Sequence, residues 1–425
     1  MDVVLTANSP GEVAAWLAPA VEGLRRVAPH CTISVFVPPC TFASGAECAV
    51  VAAMVGVDGV YGPREFVKFV LWGARPEGFR PGSIGAVCFL GGDLLSAVLL
   101  SRRLGLPAVA YTEGRVGWNK SYRRFFLPDE RARRRALHRG ACPEQLEVIG
   151  DLMQDAVRPI CNSRSEIREL LGIPDNRLVV SLFPGSRPFE LRFMLPFFLR
   201  TAERLVQETE FPPYFLLSVA PFADDEAFAH AVKEGANSRM QITAMEPSAC
   251  GPATSAWWLN SGTVSVAAYK GMQYDIMLAS DLALTVPGSN TAEMAFLGLP
   301  MVVVLPLNRA EEIPLEGISG LIGRLPLVGR LLKRAAVLAA AERVEFAALP
   351  NRKAGRLLVP EVRGHIDPED VLAPAVALLC EPERRQELGQ QLREAMGQAG
   401  ASDRLAEAIV AVASESRRER VKSSP

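Results

Sequence analysis

The sequence predicts an α/β protein in two halves, each a parallel sheet covered by helices. Three observations carry that expectation. Short apolar strands alternate with amphipathic helical stretches from residue 3 to residue 111, the pattern of a parallel sheet with helices on both faces. The alternation restarts at Arg177-Leu-Val-Val-Ser-Leu-Phe183, after a Gly172/Pro174 stop. The first strand of each half runs into a glycine turn, Pro10-Gly11 in one and Pro184-Gly185 in the other, as turn chemistry requires. A chain of 425 residues is too long for one ordinary core and suits two or three domains. We expect domains at 1–174 and 175–375, with helices 376–425 packing back toward the first.

Taken in order, Val3 to Ala7 is a strand that ends at Asn8-Ser-Pro-Gly-Glu12. Val13 to Val27 follows as a helix, with Val13, Leu17, Ala20, Val21 and Leu24 at helical spacing. Thr32–Val37 is the next strand, and the alternation continues through Gly59-Val-Tyr61 and a helix over Arg64–Trp72. Ile84–Leu90 is a buried strand ending at Gly91-Gly92-Asp93, followed by helix Leu94–Leu104 and strand Pro107–Tyr111. Asp93 thus stands at the carboxyl end of a strand, where open α/β sheets bind ligands. It is either an N-cap for the Leu94 helix or a general base for a hydroxyl.

Arg115 to Arg139 is dense in arginine and aromatic residues. A solvated helix face explains it; so does a surface for anionic lipid or diphosphate. In the second half, Arg187 follows the Pro184-Gly-Ser turn at a strand's carboxyl edge. It is a surface arginine or a bidentate grip on a diphosphate. Residues 251–274, with Trp257, Trp258, Tyr269 and Tyr274, resist assignment.

Asp281 to Leu305 has the form strand, polar Gly turn, helix, strand. The turn is Pro287-Gly288-Ser289-Asn290-Thr291. A helix beginning there offers unpaired N–H groups and a positive dipole end to a phosphate. Glu293, in the first turn, is placed to accept from a ribose diol. The same residues also serve simply as a helix cap. The stretch 311–343 is apolar and, in its middle, basic (Arg324, Arg330, Lys333, Arg334), broken by Gly and Pro. It suits either core-packed helices or a patch that lies on a membrane surface.

Bulk composition narrows the class. Charged residues make up 22% and the net charge is −1, so no global basic excess points to nucleic acid. Eight cysteines lack Cys-x-x-Cys spacing and four histidines are scattered, which points to buried free thiols and no metal centre. No run of 18 apolar residues occurs, so a spanning helix is not expected. The N-terminus looks like a strand rather than a signal peptide. We expect a cytoplasmic protein, peripheral on the inner membrane face, and no cofactor.

Several motifs together resemble one family. Phe183-Pro-Gly-Ser-Arg187 with Glu190 is similar to the Leu-Pro-Gly-Ser-Arg-x-x-Glu segment of lipid-A-disaccharide synthases. Pro287-Gly-Ser-Asn-Thr-Ala-Glu293, then Leu297-Gly-Leu-Pro-Met-Val-Val303, resembles their Ser-Gly-Thr-x-x-x-Glu turn and the Gly-x-Pro-Met-Val-Val after it. Leu349-Pro-Asn351 and Val359-Pro-Glu361 resemble their Leu-Pro-Asn and Val-Pro-Glu elements. The resemblance implies a GT-B fold, two Rossmann-like domains facing a central cleft, with the acceptor on the first and the nucleotide sugar on the second. It implies inverting, metal-independent transfer of a GlcNAc-type sugar from a UDP-sugar to a lipid-linked acceptor. In that scheme Asp93 is the catalytic aspartate and Arg187 grips the diphosphate. Gly288, Ser289, Asn290 and Thr291 cap the diphosphate, Glu293 holds the ribose, and Asn351 and Glu361 line the donor side. Gly11 and Glu12 keep the start of the family's Gly-Glu-x-Ser-Gly-Asp opening. The departures fall mostly on the acceptor half: Val-Ala-Ala-Trp16 follows Glu12, and Gly-Gly precedes Asp93 in place of the family's Pro. A UDP-GlcNAc 2-epimerase-like enzyme, another GT-B enzyme and an inactive membrane-associated relative remain the alternatives.

Overall fold

The computed structural model describes residues 1–9, 12–39, 47–157, 163–185, 188–221, 223–235, 240–246, 252–308, 344–397 and 399–423. The chain forms two compact units, Met1–Ala156 with Gly397–Pro425, and Val157–Met396.

The first unit is built on strands β1 (Asp2–Thr6), β2 (Thr32–Phe36), β3 (Gly59–Tyr61), β4 (Gly85–Phe89), β5 (Ala108–Tyr111), β6 (Tyr122–Leu127) and β7 (Leu146–Val148). They pair in the order β3-β2-β1-β4-β5-β6-β7, parallel throughout. Every residue of β4 is buried, as a strand covered on both faces demands. Chain order reverses between β1 and β4, so a crevice lies outside the carboxyl ends of those strands. The helix over 13–27 opens with a wide turn in which Ala18 N–H donates to Val13 O; Pro19, one residue on, has no N–H to give. Helix Ala401–Ser423 packs on helix Ala18–Val27. A Cβ on Gly23 would fall 2.3 Å from Ser402 O, so only glycine permits this approach. Arg26 fixes the contact by bonding Asp403 and Ser402.

The Arg-rich stretch holds more than a helix face. Three of its four aromatic residues lie in β6, with Tyr122, Phe125, Phe126 and Leu127 buried, while Trp118 before it is exposed. Helix Glu130–His138 then carries the arginines outward. Adjacent Phe125 and Phe126 serve opposite faces of the sheet and join different core clusters.

The second unit contains β8 (Val179–Phe183), β9 (Tyr214–Val219), β10 (Gln241–Ala244), β11 (Ser255–Asn260), β12 (Ser265–Lys270), β13 (Leu282–Thr285), β14 (Met301–Pro306) and β15 (Glu361–Gly364). The order is β10-β11-β12-β9-β8-β13-β14-β15. The unassigned region 251–274 supplies β11 and β12, an antiparallel pair. The Trp257 ring there packs against Phe228, with centroids 4.8 Å apart and planes tilted by 42°. The reversal here lies between β8 and β13, both bonded in parallel. Helices Leu372–Cys380 and Pro382–Met396 pack within this unit. No helix among the described residues is long and apolar enough to cross a membrane.

Candidate active site

Each unit presents loops at its own switch point. In the first, the loop after β1 meets the loop after β4 through Glu12. Its carboxylate accepts from Asn8 N at 3.3 Å and from Gly92 N at 3.1 Å. The fit is tight, since a Cβ on Gly91 would lie 2.1 Å from that carboxylate. Gly92 has φ +90° and faces the Asn8 side chain, so the double glycine is a condition of this closure. Arg115, which motif reading left inside a basic stretch, donates to Gly92 O at 2.5 Å and lies over the Phe89 ring. Asp93 is exposed. It caps helix Leu94–Leu104, its Oδ1 accepting from Leu95 N at 2.8 Å. That bond engages one carboxylate oxygen, so the cap leaves the second for a proton.

In the second unit, Gly185 follows β8 with φ +103°, and a Cβ there would strike the Glu190 carboxylate at 2.3 Å. Beside it, the loop after β13 starts helix Ser289–Leu297. Gly288 is the N-cap and no side chain caps the helix end. Among the described residues no acceptor meets the N–H groups of Ser289 or Asn290. Asn290 and Thr291 bond back onto the protein, while Ser289 is exposed. Asn290 Nδ2 donates to Thr285 Oγ1 at 2.6 Å. Thr291 Oγ1, fully buried, donates to Gly288 O at 2.8 Å and accepts from Leu349 N at 3.2 Å. No side chain of Ser289, Asn290 or Thr291 thus caps the helix, and an N-terminus without a side-chain cap is one that suits an anion.

Glu293 stands one helical turn on from Ser289, beyond the first turn where the sequence placed it, because the helix begins earlier than its apolar residues suggest. Burial pushes its carboxyl up to about 7, with a hydrogen bond from Ser289 acting in the opposite sense. Tyr274 lies close enough that its phenol, already raised by burial, is raised further by Glu293. Next to Tyr274, Gln273 Oε1 is buried with no partner among the described residues. Motif reading singled out neither Gln273 nor this role for Tyr274, because both sit in the region it left unassigned.

Asn351 and Glu361 are brought together, but their polar atoms are spent on the protein. Asn351 is fully buried. Its Nδ2 donates to Val359 O at 2.9 Å and Glu361 Oε1 at 2.8 Å, while its Oδ1 accepts from Leu358 N at 2.8 Å and Val359 N at 2.9 Å. That exhausts an amide's two donors and two lone pairs. Glu361 accepts from Ala347 N and Ala348 N and pairs with Arg363 at 2.9 Å. A ligand-lining role for these two thus gives way to a scaffolding one. Gly11, Arg187 and residues 311–343 lie outside the described residues. Among the described residues no group of three or more His, Cys, Asp and Glu is placed to hold a metal.

Two parallel-sheet Rossmann-like units in one chain are the construction of GT-B proteins. Solved structures agree at the level of fold. MurG of Acinetobacter baumannii matches with TM-score 0.53 and 13% identity, over 96% of this chain and 98% of that one. The UDP-GlcNAc 2-epimerase of Neisseria meningitidis, solved bound to UDP-GlcNAc, matches with TM-score 0.56 and 14% identity, over 97% and 100%. Sequence relatives narrow the class. The model of the lipid-A-disaccharide synthetase family matches residues 144–311, which include the loops after β8 and β13. The lipid-A-disaccharide synthase of Syntrophus aciditrophicus is 28% identical over 61% of this chain and 56% of its own length. That of Anaeromyxobacter dehalogenans is 30% identical over 60% and 55%. The chain is thus similar to lipid-A-disaccharide synthases, as its motifs implied, and spans a little over half the length of the curated relatives it matches.

Proposed function

We propose that the protein is a UDP-sugar-dependent glycosyltransferase that moves a GlcNAc-type sugar to a lipid-linked acceptor at the cytoplasmic membrane surface. The observation that carries this is the helix start at Ser289. It sits at the switch point of the second unit, with Asn290 and Thr291 bonded back onto the protein and no acceptor on its first N–H groups among the described residues. A diphosphate is the ligand such an end selects. The similarity to lipid-A-disaccharide synthases across this same region supports the donor assignment.

In this reading the second unit holds the donor. The N–H groups of Ser289 and Asn290 and the positive helix end stabilise the diphosphate as charge develops on it. Arg187 adds a bidentate contact, and this positive charge serves in place of a metal ion. Glu293, with an ordinary working pH near its own pKa of about 7, hydrogen-bonds the ribose diol as acceptor or donor. The first unit holds the acceptor. The free oxygen of Asp93 takes the acceptor hydroxyl's proton as the hydroxyl oxygen attacks the anomeric carbon, in line with the departing UDP, so configuration inverts.

Incubation with a panel of nucleotide sugars, with and without a lipid extract, tests the proposal. UDP release that requires both a UDP-sugar and lipid, with sugar recovered on lipid, is the expected result. A free sugar epimer would instead mark an epimerase, and liposome binding without UDP release an inactive relative. Absence of UDP-sugar binding by calorimetry would overturn the donor site itself.

A further inference from the structure

We infer that Thr291 is a positioning residue, the joint through which an Asn351–Glu361–Arg363 brace fixes the shape of the proposed donor turn; the inference rests on that donor reading. The helix Leu349–Ala354 has no side-chain cap of its own at Ala348. Its entry is capped from elsewhere. The Glu361 carboxylate takes Ala347 N at 2.9 Å and Ala348 N at 2.9 Å, and Thr291 Oγ1 takes the next N–H, that of Leu349. Three consecutive backbone donors are thus divided between β15 and the donor turn.

Glu361 is itself held. Asn351 donates to its Oε1, Arg363 Nε pairs with its Oε2, and the rest of the Arg363 guanidinium bonds Val344 O and Glu345 O. Its side chain is 2% exposed, so the carboxylate is desolvated and depends on these donors. The chain from Val344 to Leu349 is therefore a strap with fixed ends, and Leu349 N presents a fixed donor to Thr291.

At the other end, the same hydroxyl donates to Gly288 O, the carbonyl of the residue before the free N–H groups. Thr291 is fully buried and cannot reach a ligand on the outer side of the turn. Its hydroxyl sets where the Ser289 and Asn290 N–H vectors point. An anion site made of backbone N–H groups gains from being held in place before the ligand arrives. The chemistry behind this turn is therefore aimed at affinity for a diphosphate without touching it.

Two measurements on the full chain test this. Thr291→Val keeps the shape, removes the hydroxyl and leaves Leu349 N and Gly288 O without it. UDP titrated by calorimetry should bind about tenfold more weakly, the scale of one lost buried hydrogen bond. Thr291→Ser should restore affinity to within roughly threefold, since it returns the hydroxyl. Wild-type affinity in Thr291→Val would overturn the inference. The second measurement is amide hydrogen exchange in Glu361→Gln, which acts on the brace without altering the turn. Exchange should accelerate in 286–293 as well as in 344–351; acceleration confined to 344–351 would overturn the joint. Wild-type protein that fails to bind UDP would sink the donor reading alone, because the exchange result decides the brace independently.

Discussion

The two switch-point crevices solve the same topological problem in opposite ways. In the first unit, the loops after β1 and β4 are tied together at the crevice itself, by Glu12 on Asn8 N and Gly92 N. Asp93 likewise spends one oxygen on Leu95 N. In the second unit, the turn after β13 is held through Thr291, Leu349 and Glu361, and among the described residues no acceptor meets its first N–H groups. Backbone N–H groups positioned from behind make a better anion site than carboxylates turned onto their own backbone. The contrast matches the sequence relationship, in which the family model covers 144–311 and stops short of Asp93 on its N-terminal side.

The largest test of this contrast is Asp93→Asn. Asparagine caps helices about as well as aspartate, so the fold should be kept while a base is lost. The expected outcome is a fall of about 10²–10⁴ in kcat with unchanged UDP affinity. A full rate in Asp93→Asn would leave the first crevice with a cap and no base.

Next in size is Glu293. Burial raises its pKa to about 7, above the ordinary 4.5, so the folded state binds the proton more tightly than the unfolded chain. Stability from this site is complete below about 4.5 and is lost as pH rises toward 7. Glu293→Gln fixes the neutral form and should raise stability above pH 7 by up to about 3 kcal/mol, while leaving it nearly unchanged at pH 4. Denaturant melts of both proteins across this range check the sign. A variant whose pH profile follows wild type would show that the burial of Glu293 carries no protonation cost.

Ser289→Pro sharpens the comparison at the second crevice. Proline is accepted at a first helical position, and Gly288 before it is extended, with φ 167° and ψ −174°, outside the α region that a following proline disfavours. One outward N–H disappears, and UDP affinity should drop roughly tenfold. Ser289→Ala keeps that N–H and should lose less. Equal losses in the two variants would place the contact on the hydroxyl.

The smallest expected change is Glu12→Ala. Two backbone N–H groups lose their acceptor at a partly exposed position, for a destabilisation of about 1–2 kcal/mol in thermal melts. UDP affinity, assigned to the other unit, should not move. A loss of UDP binding in Glu12→Ala would break the division of roles between the crevices.

Much of this molecule was legible in one dimension. β1, β4, β8, β13 and β14 are apolar runs stopped by glycine or proline, so their burial and their turns are local properties. The polar turn Pro287–Thr291 was legible for the same reason, although the helix already begins at Ser289 within it. β6 was hidden because arginines interrupt its aromatic residues, and β11 because its tryptophans are only partly covered. The sequence by itself determined the two α/β halves, the glycines that close each crevice and the residues available for chemistry. Only the tertiary structure decided which of those residues remain available. Glu12 meets Gly92 from 80 positions away, and Thr291 meets Leu349 from 58. Glu361 is drawn into a desolvated site where every lone pair must be answered. Hydrogen-bond saturation is a property of what converges in space, and residue type alone does not reveal it.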